Sequence, residues 1–303
     1  MSKTFDLIIP TWNNLAELKK CLQGFEGQSF RDFRALICVD GSTDGTIEYL
    51  ESVKVNFEFE ILKHAAGIHK GRNETRNLSL KKISSKYILL FDSDIVPQND
   101  LLQKHFELFS KKDCVSLGEV VYKNANKNIW ALYLQTRGKD KYTNLAEIPS
   151  HYLNTQNASF KSEYFIKLKG QDPELSNNYG GDDTILGYRI EKEFKIPVVF
   201  NKTAVGYSFM DKDLDQALRQ MKEFGAINLK VIRRKYPSFT EIFRFDIVES
   251  RLLHYKIIRL FLRKWIANIS QRMIWILPKF LKIKVVHFLV FYSIQSGYEL
   301  GND

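Results

Sequence analysis

Residues 87–94 read Tyr-Ile-Leu-Leu-Phe-Asp-Ser-Asp: an unbroken apolar run that stops at two carboxylates, Asp92 and Asp94, with Ser93 between them. The run reads as a short strand, and residues 5–10 and 34–39 have the same character, each closing in polar or turn chemistry. Between these strands, Leu15, Leu18, Cys21 and Leu22 fall at helical spacing, as do Ile47, Tyr49, Leu50 and Val53, and 71–83 suits a third helix. Strands alternating with helices predict an α/β, doubly wound fold, a mostly parallel sheet flanked by helices with ligands at the carboxyl ends of its strands. Further along, the pattern predicts helices over 101–109, 161–168 and 185–194, strands over 114–121 and 196–200, and one long helix over 214–235; 124–149 is ambiguous.

The acids cluster at those strand ends. Carboxylates two residues apart repel each other unless a cation joins them, and their hard oxygens suit Mg2+ or Mn2+ with a diphosphate completing the shell. The same triplet would also serve to cap the next helix. A second cluster, Asp40-Gly41-Ser42-Thr43-Asp44-Gly45-Thr46, follows the run 34–39, so Asp40 shares a rim with Asp92. Its composition equally suits strand-to-helix punctuation, with Asp44 or Thr46 as the N-cap. In the third, Gly180-Gly181-Asp182-Asp183, the glycines free the backbone to approach a ligand, and the acids stand at a helix start whose dipole favours their ionised form. An ionised carboxylate there can accept a proton from a hydroxyl nucleophile, or simply cap the helix.

Composition bounds the partners. A chain of 303 residues holds one large α/β domain, or a domain with a C-terminal extension. Cys21, Cys38 and Cys114 are few, odd in number and far apart, as expected of buried thiols in a reducing compartment. No charged-then-apolar leader follows Met1, which predicts a cytoplasmic protein. His64, His69, His105, His151, His254 and His287 lack ligand spacing and read as surface or structural. Trp130, Tyr133 and Tyr152 read as core aromatics, with sugar stacking as the alternative. The net charge of +10 is local: 251–294 carries nine Lys and Arg and no Asp or Glu. Its longest stretch free of ionised side chains, 285–298, is short of the roughly 20 residues that span a bilayer. The segment is therefore expected to lie on the inner face of the cell membrane, or else to pack its apolar stripe on the catalytic core. Nucleic acid is not an expected partner, since the aromatics there alternate with long aliphatics.

Five motifs now stand in order: Ile9-Pro10-Thr11-Trp12-Asn13, then Val39-Asp40 through Thr46, Arg76-Asn77 ahead of the 87–94 run, Asn157-Ala158-Ser159-Phe160, and Tyr179-Gly180-Gly181-Asp182-Asp183 through Arg189. Jointly they resemble the motifs of family-2 glycosyltransferases with the GT-A fold, over roughly residues 5–235. The resemblance implies a catalytic domain over 1–240, with a nucleotide-sugar half (1–100) and an acceptor half (101–240), and a basic amphipathic helical region over 241–303. It implies donor contacts from Pro10, Thr11, Asp40, Arg76, Asp92 and Ser93, a metal on Asp94 and Asp92, acceptor contacts from Asn157, Gly180 and Gly181, and Asp183, beside Asp182, as general base. The implied reaction is inverting transfer from a nucleotide sugar, a UDP-sugar foremost, to a hydroxyl of a glycan or polyprenyl-linked acceptor in surface polysaccharide synthesis, with Mn2+ or Mg2+. The chain departs from the family's usual pattern in a shorter first acidic loop, in Asp182 where Glu is common, and in Gly206-Tyr207-Ser208-Phe209 where many relatives carry a histidine ligand. A sugar nucleotidyltransferase would carry a Gly-rich, basic loop in place of Thr11-Trp12-Asn13-Asn14, and a non-catalytic nucleotide-sugar-binding scaffold would not need all three acid clusters.

Overall fold

In the computed structural model of the chain, which describes residues 3–136, 141–176, 178–239, 252 and 261–300, the apolar runs are neighbouring strands. β1 (Phe5–Thr11), β2 (Phe33–Val39), β3 (Glu58–Lys63) and β4 (Tyr87–Phe91) are parallel, in the order β3-β2-β1-β4. Every residue of β1 and β4 is buried, which is why both read as continuous apolar runs. Pro10 is tolerated in β1 because β4 pairs only as far as Ile8↔Leu90, so the missing N–H falls past the point where the two strands part. Helices α1 (Leu15–Glu26), α2 (Thr46–Ser52) and α3 (Arg72–Asn77) follow β1, β2 and β3.

Beyond β4 the sheet becomes mixed. It continues through β8 (Asn157–Lys161), β6 (Val115–Tyr122), β9 (Val198–Ser208) and β5 (Ile95–Pro97), with β7 (Ala146–Ile148) pairing off β9. β8 runs antiparallel to β4 and β6, while β6 and β9 are parallel. The expected strand at 196–200 is thus the start of a much longer one. Helices α4 (Leu101–Phe109), α6 (Ser162–Lys167) and α7 (Asp182–Phe194) accompany these strands, and Ile8, Leu36, Leu90, Phe160, Phe200 and Ile190 share one core. All three cysteines are buried and free.

One polar knot inside this core pins β6, β8 and α4. The β6–β9 register jumps at Gly118/Glu119, and the amide of Asn157 fills the irregularity, donating to the carbonyls of Glu119 (3.1 Å) and Ala204 (2.9 Å). A Cβ on Gly118 would lie 2.1 Å from that amide nitrogen, so the position must be glycine. Asn157 Oδ1 in turn meets His105 Nε2 at 3.0 Å, and His105 Nδ1 meets Ser116 Oγ at 2.7 Å. Burial pushes the His105 pKa down to about 4, against an ordinary value of 6.5. The unfolded chain therefore takes up a proton below about 6.5 that the folded chain refuses until about pH 4. Stability should fall by on the order of 3 kcal/mol across that window. Urea melts between pH 7 and pH 4 test this: His105→Gln should show a shallower fall, by about one proton's worth of slope.

The helical remainder forms a second compact unit, comprising Asn124–Arg137, Asn178–Gly181 and Met210–Asp303; the first unit holds Met1–Lys123, Gly138–Asn177 and Asp182–Phe209. Residues 124–137, 178–181 and 210–239 thus group with the C-terminal helices rather than with the sheet. Here α5 (Ile129–Thr136), α8 (Leu214–Ala226), α9 (Asn228–Lys235), α10 (Lys264–Met273) and α11 (Lys279–Leu300) are described. The long helix expected over 214–235 breaks at Ile227, whose φ and ψ are −120° and −76°. α8 opens with a capping box between Asp213 and Gln216. α11 lies backbone to backbone on α8: a Cβ on Gly225 would sit 1.9 Å from the Ile294 carbonyl oxygen, and one on Gly297 1.9 Å from that of Lys222. Trp130, Leu218, Met221, Val286 and Leu289 fill the core around this contact. Of the basic segment 251–294, residues 251 and 253–260 lie outside the described residues. Among those described, no helix is long and apolar enough to cross a membrane.

Candidate active site

The carboxyl ends of β1, β2 and β4 form one rim, and side chains tie its loops together. Asn14 accepts the Thr11 hydroxyl on Oδ1 and donates from Nδ2 to Ser93 Oγ at 2.7 Å, joining the end of β1 to the acidic triplet. Asn13, in the left-handed region at φ 46°, accepts the Thr43 N–H at 2.8 Å. Asp44 accepts the Leu15 N–H at 2.9 Å, so it caps α1 across the rim as well as bonding Thr46. Thr11 and Pro10 are themselves buried. They shape the rim from below.

Asp40, just after β2, is buried with both oxygens engaged. It accepts the N–H groups of Lys70 (2.7 Å) and Gly71 (3.0 Å), and lies 2.9 Å from His69 Nδ1 and 3.6 Å from His64 Nε2. Gly71 has no alternative there, since φ is +82° and a Cβ would stand 2.3 Å from the Ser176 carbonyl oxygen. Asp40 thus anchors the 64–71 loop against the sheet. The two histidines flank it in the kinds of place expected of them, His64 buried against Thr75 and His69 half exposed at the surface. Burial pushes the His64 pKa down, with Asp40 opposing only in part. His69 also stacks on the exposed Trp12, with ring centroids 4.4 Å apart.

At the triplet the two aspartates part company. Arg76 is wholly buried and donates from Nη2 to Asp92 Oδ1 and from Nη1 to Gln171 Oε1 at 3.2 Å, while its Nε has no partner. Where the sequence reading expected Arg76 to contact base or diphosphate, the guanidinium lies buried beneath Asp92. Asp94 is open to solvent and, among the described residues, no cation stands within ion-pair distance of it. Crowding by protein around its carboxyl group, and then the neighbouring Asp92, push its pKa up to about 6, with Arg72 pulling the other way. Such a pair fits a hard divalent cation: Asp94 offers an uncompensated carboxylate, with a second oxygen ligand two residues before it. Among the described residues no third Asp, Glu, His or Cys joins them.

Asp183 stands at the start of α7 and accepts the Thr155 hydroxyl at 2.5 Å. Burial and then Asp182 raise its pKa to about 6, opposed by Arg76, Arg72 and the Thr155 bond. Arg72, at the N-terminus of α3, is thus the cation felt by both Asp94 and Asp183. Sequence reading passes over Arg72 and Thr155; the only signal was a cation at the opening of the helix predicted over 71–83.

The expected acceptor residues have other occupations. Asn157 is 1% exposed and its amide is spent inside the knot above. Gly180 and Gly181 have φ of +95° and +85°, and Cβ atoms on them would lie 2.9 Å from Phe224 and 2.4 Å from Ile232. Backbone and packing within the second unit account for both glycines. A groove of about 830 Å3 in that unit, lined by Asn128, Asp213, Asn268, Gln271, Arg272 and Trp275 among others, shares no residue with the acid-bearing rim.

A sheet parallel through its first four strands and mixed beyond them, with acids at the strand ends and a recessed acid opening a later helix, is the arrangement of a GT-A glycosyltransferase. Residues 6–169 match the profile of Glycosyl transferase family 2, and the chain belongs to that family. Among curated proteins it is similar to the uncharacterized glycosyltransferase YfnE of Bacillus subtilis, 23% identical over 248 residues, which are 71% of this chain and 60% of YfnE. Among solved structures it resembles mannosyltransferase PcManGT from Pyrobaculum calidifontis in complex with GDP-Man and Mn2+, at 14% identity and TM-score 0.61 over 99% of this chain and 88% of that one. It also resembles S. aureus TarS 1–349 in complex with UDP-GlcNAc, at 12% identity and TM-score 0.56 over 99% and 90% of the two chains. At such identities the two structures speak for the fold.

Proposed function

We propose that the protein transfers a sugar, with inversion, from a nucleoside diphosphate sugar to a hydroxyl of a glycan or polyprenyl-linked acceptor, in surface polysaccharide synthesis at the inner face of the cell membrane. The observation that carries this reading is a division of labour between two acids: Asp94, exposed just past the end of β4 and beside Asp92, and Asp183, recessed at the start of α7 and bonded to the Thr155 hydroxyl. Asp183 Oδ1 is held by Thr155, which leaves Oδ2 to take the acceptor's proton as its oxygen attacks the anomeric carbon. Attack from the face opposite the diphosphate inverts the centre. When bound, Mn2+ or Mg2+ on Asp94, with Asp92 as second ligand, supplies Lewis-acid stabilisation of the leaving diphosphate in place of a general acid. Arg76 holds Asp92 in position, and Asp40 holds the 64–71 loop in the place where the nucleoside would lie. The nucleotide sugars and the Mn2+ in the two similar structures support the donor class and the metal; UDP remains our preferred nucleotide.

A screen of UDP-, GDP- and dTDP-sugars for release of nucleoside diphosphate, with Mn2+ and then with excess chelator, tests the reading. One UDP-sugar should stand well above the rest, and the chelator should abolish its turnover. Pyrophosphate release from a nucleoside triphosphate and a sugar phosphate, without diphosphate release from any sugar nucleotide, would favour the nucleotidyltransferase instead.

A further inference from the structure

The second unit buries one side of α10 and leaves the other bare. Ala267 and Ile274 point into the core with Val286, Leu289 and Leu218. On the opposite side Trp265, Ile269 and Met273 recur every four residues, which lines them up along one face of the helix. They are 63%, 48% and 46% exposed, and just past the end of the helix Trp275, Ile276 and Phe280 are exposed as well, at 65%, 78% and 63%. Single exposed apolar side chains are ordinary on a soluble protein, whereas a contiguous row of large ones marks a surface that something covers.

The charges beside the row say what kind of surface covers it. Arg263, Lys264, Arg272, Lys279 and Lys284 are all exposed, and from 261 to 298 the sequence contains no Asp or Glu; Asp213 and Asp215, which line a groove with Arg272 and Trp275, are the acids at its edge, outnumbered by these cations. A second copy of the same face would set cation against cation, which opposes pairing of the protein with itself. An anionic bilayer satisfies both halves of the pattern. Its phosphates meet the Lys and Arg side chains, its headgroup layer suits the two indoles, and its acyl boundary takes Ile and Phe. No described helix is long and apolar enough to cross a membrane, and the contact proposed is one of lying on its surface.

We propose that the stripe Trp265, Ile269, Met273, Trp275, Ile276 and Phe280, with its basic border, is a docking face for an anionic lipid bilayer. The proposal deepens the reading of a membrane-borne acceptor and takes its purpose from it: an enzyme held in the headgroup plane meets a lipid-linked hydroxyl without a three-dimensional search. Its physics is independent of catalysis.

The full chain should be sedimented with vesicles of phosphatidylcholine alone and with one-third phosphatidylglycerol, while tryptophan emission is followed. Binding to the anionic vesicles, a blue shift and weakening by salt are expected. Trp265→Ser combined with Ile276→Ser, both at exposed positions, should lower partitioning at least tenfold with an unchanged thermal melt. Arg272→Gln, Lys279→Gln and Lys284→Gln should each lower it about fivefold, the equivalent of ~1 kcal/mol per charge. The proposal is overturned if the wild-type chain does not prefer anionic vesicles, if the serine variant binds them as well as wild type does, or if the stripe instead supports self-association that the serine variant abolishes. Diphosphate release from the donor sugar in solution should be the same in wild type and the stripe variants. Vesicle binding without any transfer would therefore remove the catalytic reading and leave the docking face standing.

Discussion

Asp183→Asn is expected to lower kcat by about 10²–10⁴-fold, the range for removing a positioned general base. Asparagine keeps an oxygen to accept the Thr155 hydroxyl, so the start of α7 should remain in place and the donor KM should change little. The wild-type pH profile carries the second half of this expectation. A base works ionised, and burial with Asp182 raises this one to about 6, so kcat/KM should fall tenfold per pH unit below about 6 and level off above it. With Mn2+ saturating at every pH, so that protonation of Asp94 does not limit the rate, the residual rate of the variant should lack that acid limb. Steady-state kinetics from pH 5 to 8 measures both, and full turnover in Asp183→Asn would remove Asp183 from the role.

The second large effect is expected at Asp94. Asp94→Asn should reduce turnover by roughly 10²–10³-fold or more, the scale for loss of one preorganised electrostatic stabiliser, and added Mn2+ should no longer rescue the rate. Stability should move the other way. Between about pH 4 and 6 the unfolded chain gives up a proton that the folded Asp94 keeps, so stability falls across that window and the cost is fully present above it; at neutral pH, removing the charge should leave Tm unchanged or raised. A variant that loses Tm along with activity would point to a structural role.

What was legible in the sequence follows from how each element is buried. β1, β2 and β4 announce themselves because strands covered on both faces contain almost nothing but apolar side chains. β3 does not, since the strand Glu-Phe-Glu-Ile-Leu-Lys ends the sheet and keeps its first and last residues in solvent. β8 reads as polar yet is buried, because Asn157 and Ser159 bond inward, Ser159 donating to the Ile88 carbonyl at 2.7 Å. The site divides in the same way. Asp92, Asp94 and Asp183 stood out through their places at strand and helix ends, which local pattern records. His64 and His69 could be placed near the rim from the sequence, but the contact that fixes them there could not, since Asp40 draws in the 64–71 loop across some 30 positions. The spacing of Arg76 from the triplet was visible, but not that its guanidinium lies under the rim.

That last placement makes the aspartates of one short triplet answer to different demands. Asp92 is the carboxylate within ion-pair distance of a sealed arginine, and removing one partner of a buried pair typically costs 3–5 kcal/mol. Asp94 balances no such charge. Selection for soluble, well-expressed protein would hold Asp92 in place and let Asp94 drift, whereas selection for product would hold both, so the residue most exposed to loss in a non-producing lineage is the second aspartate rather than the first.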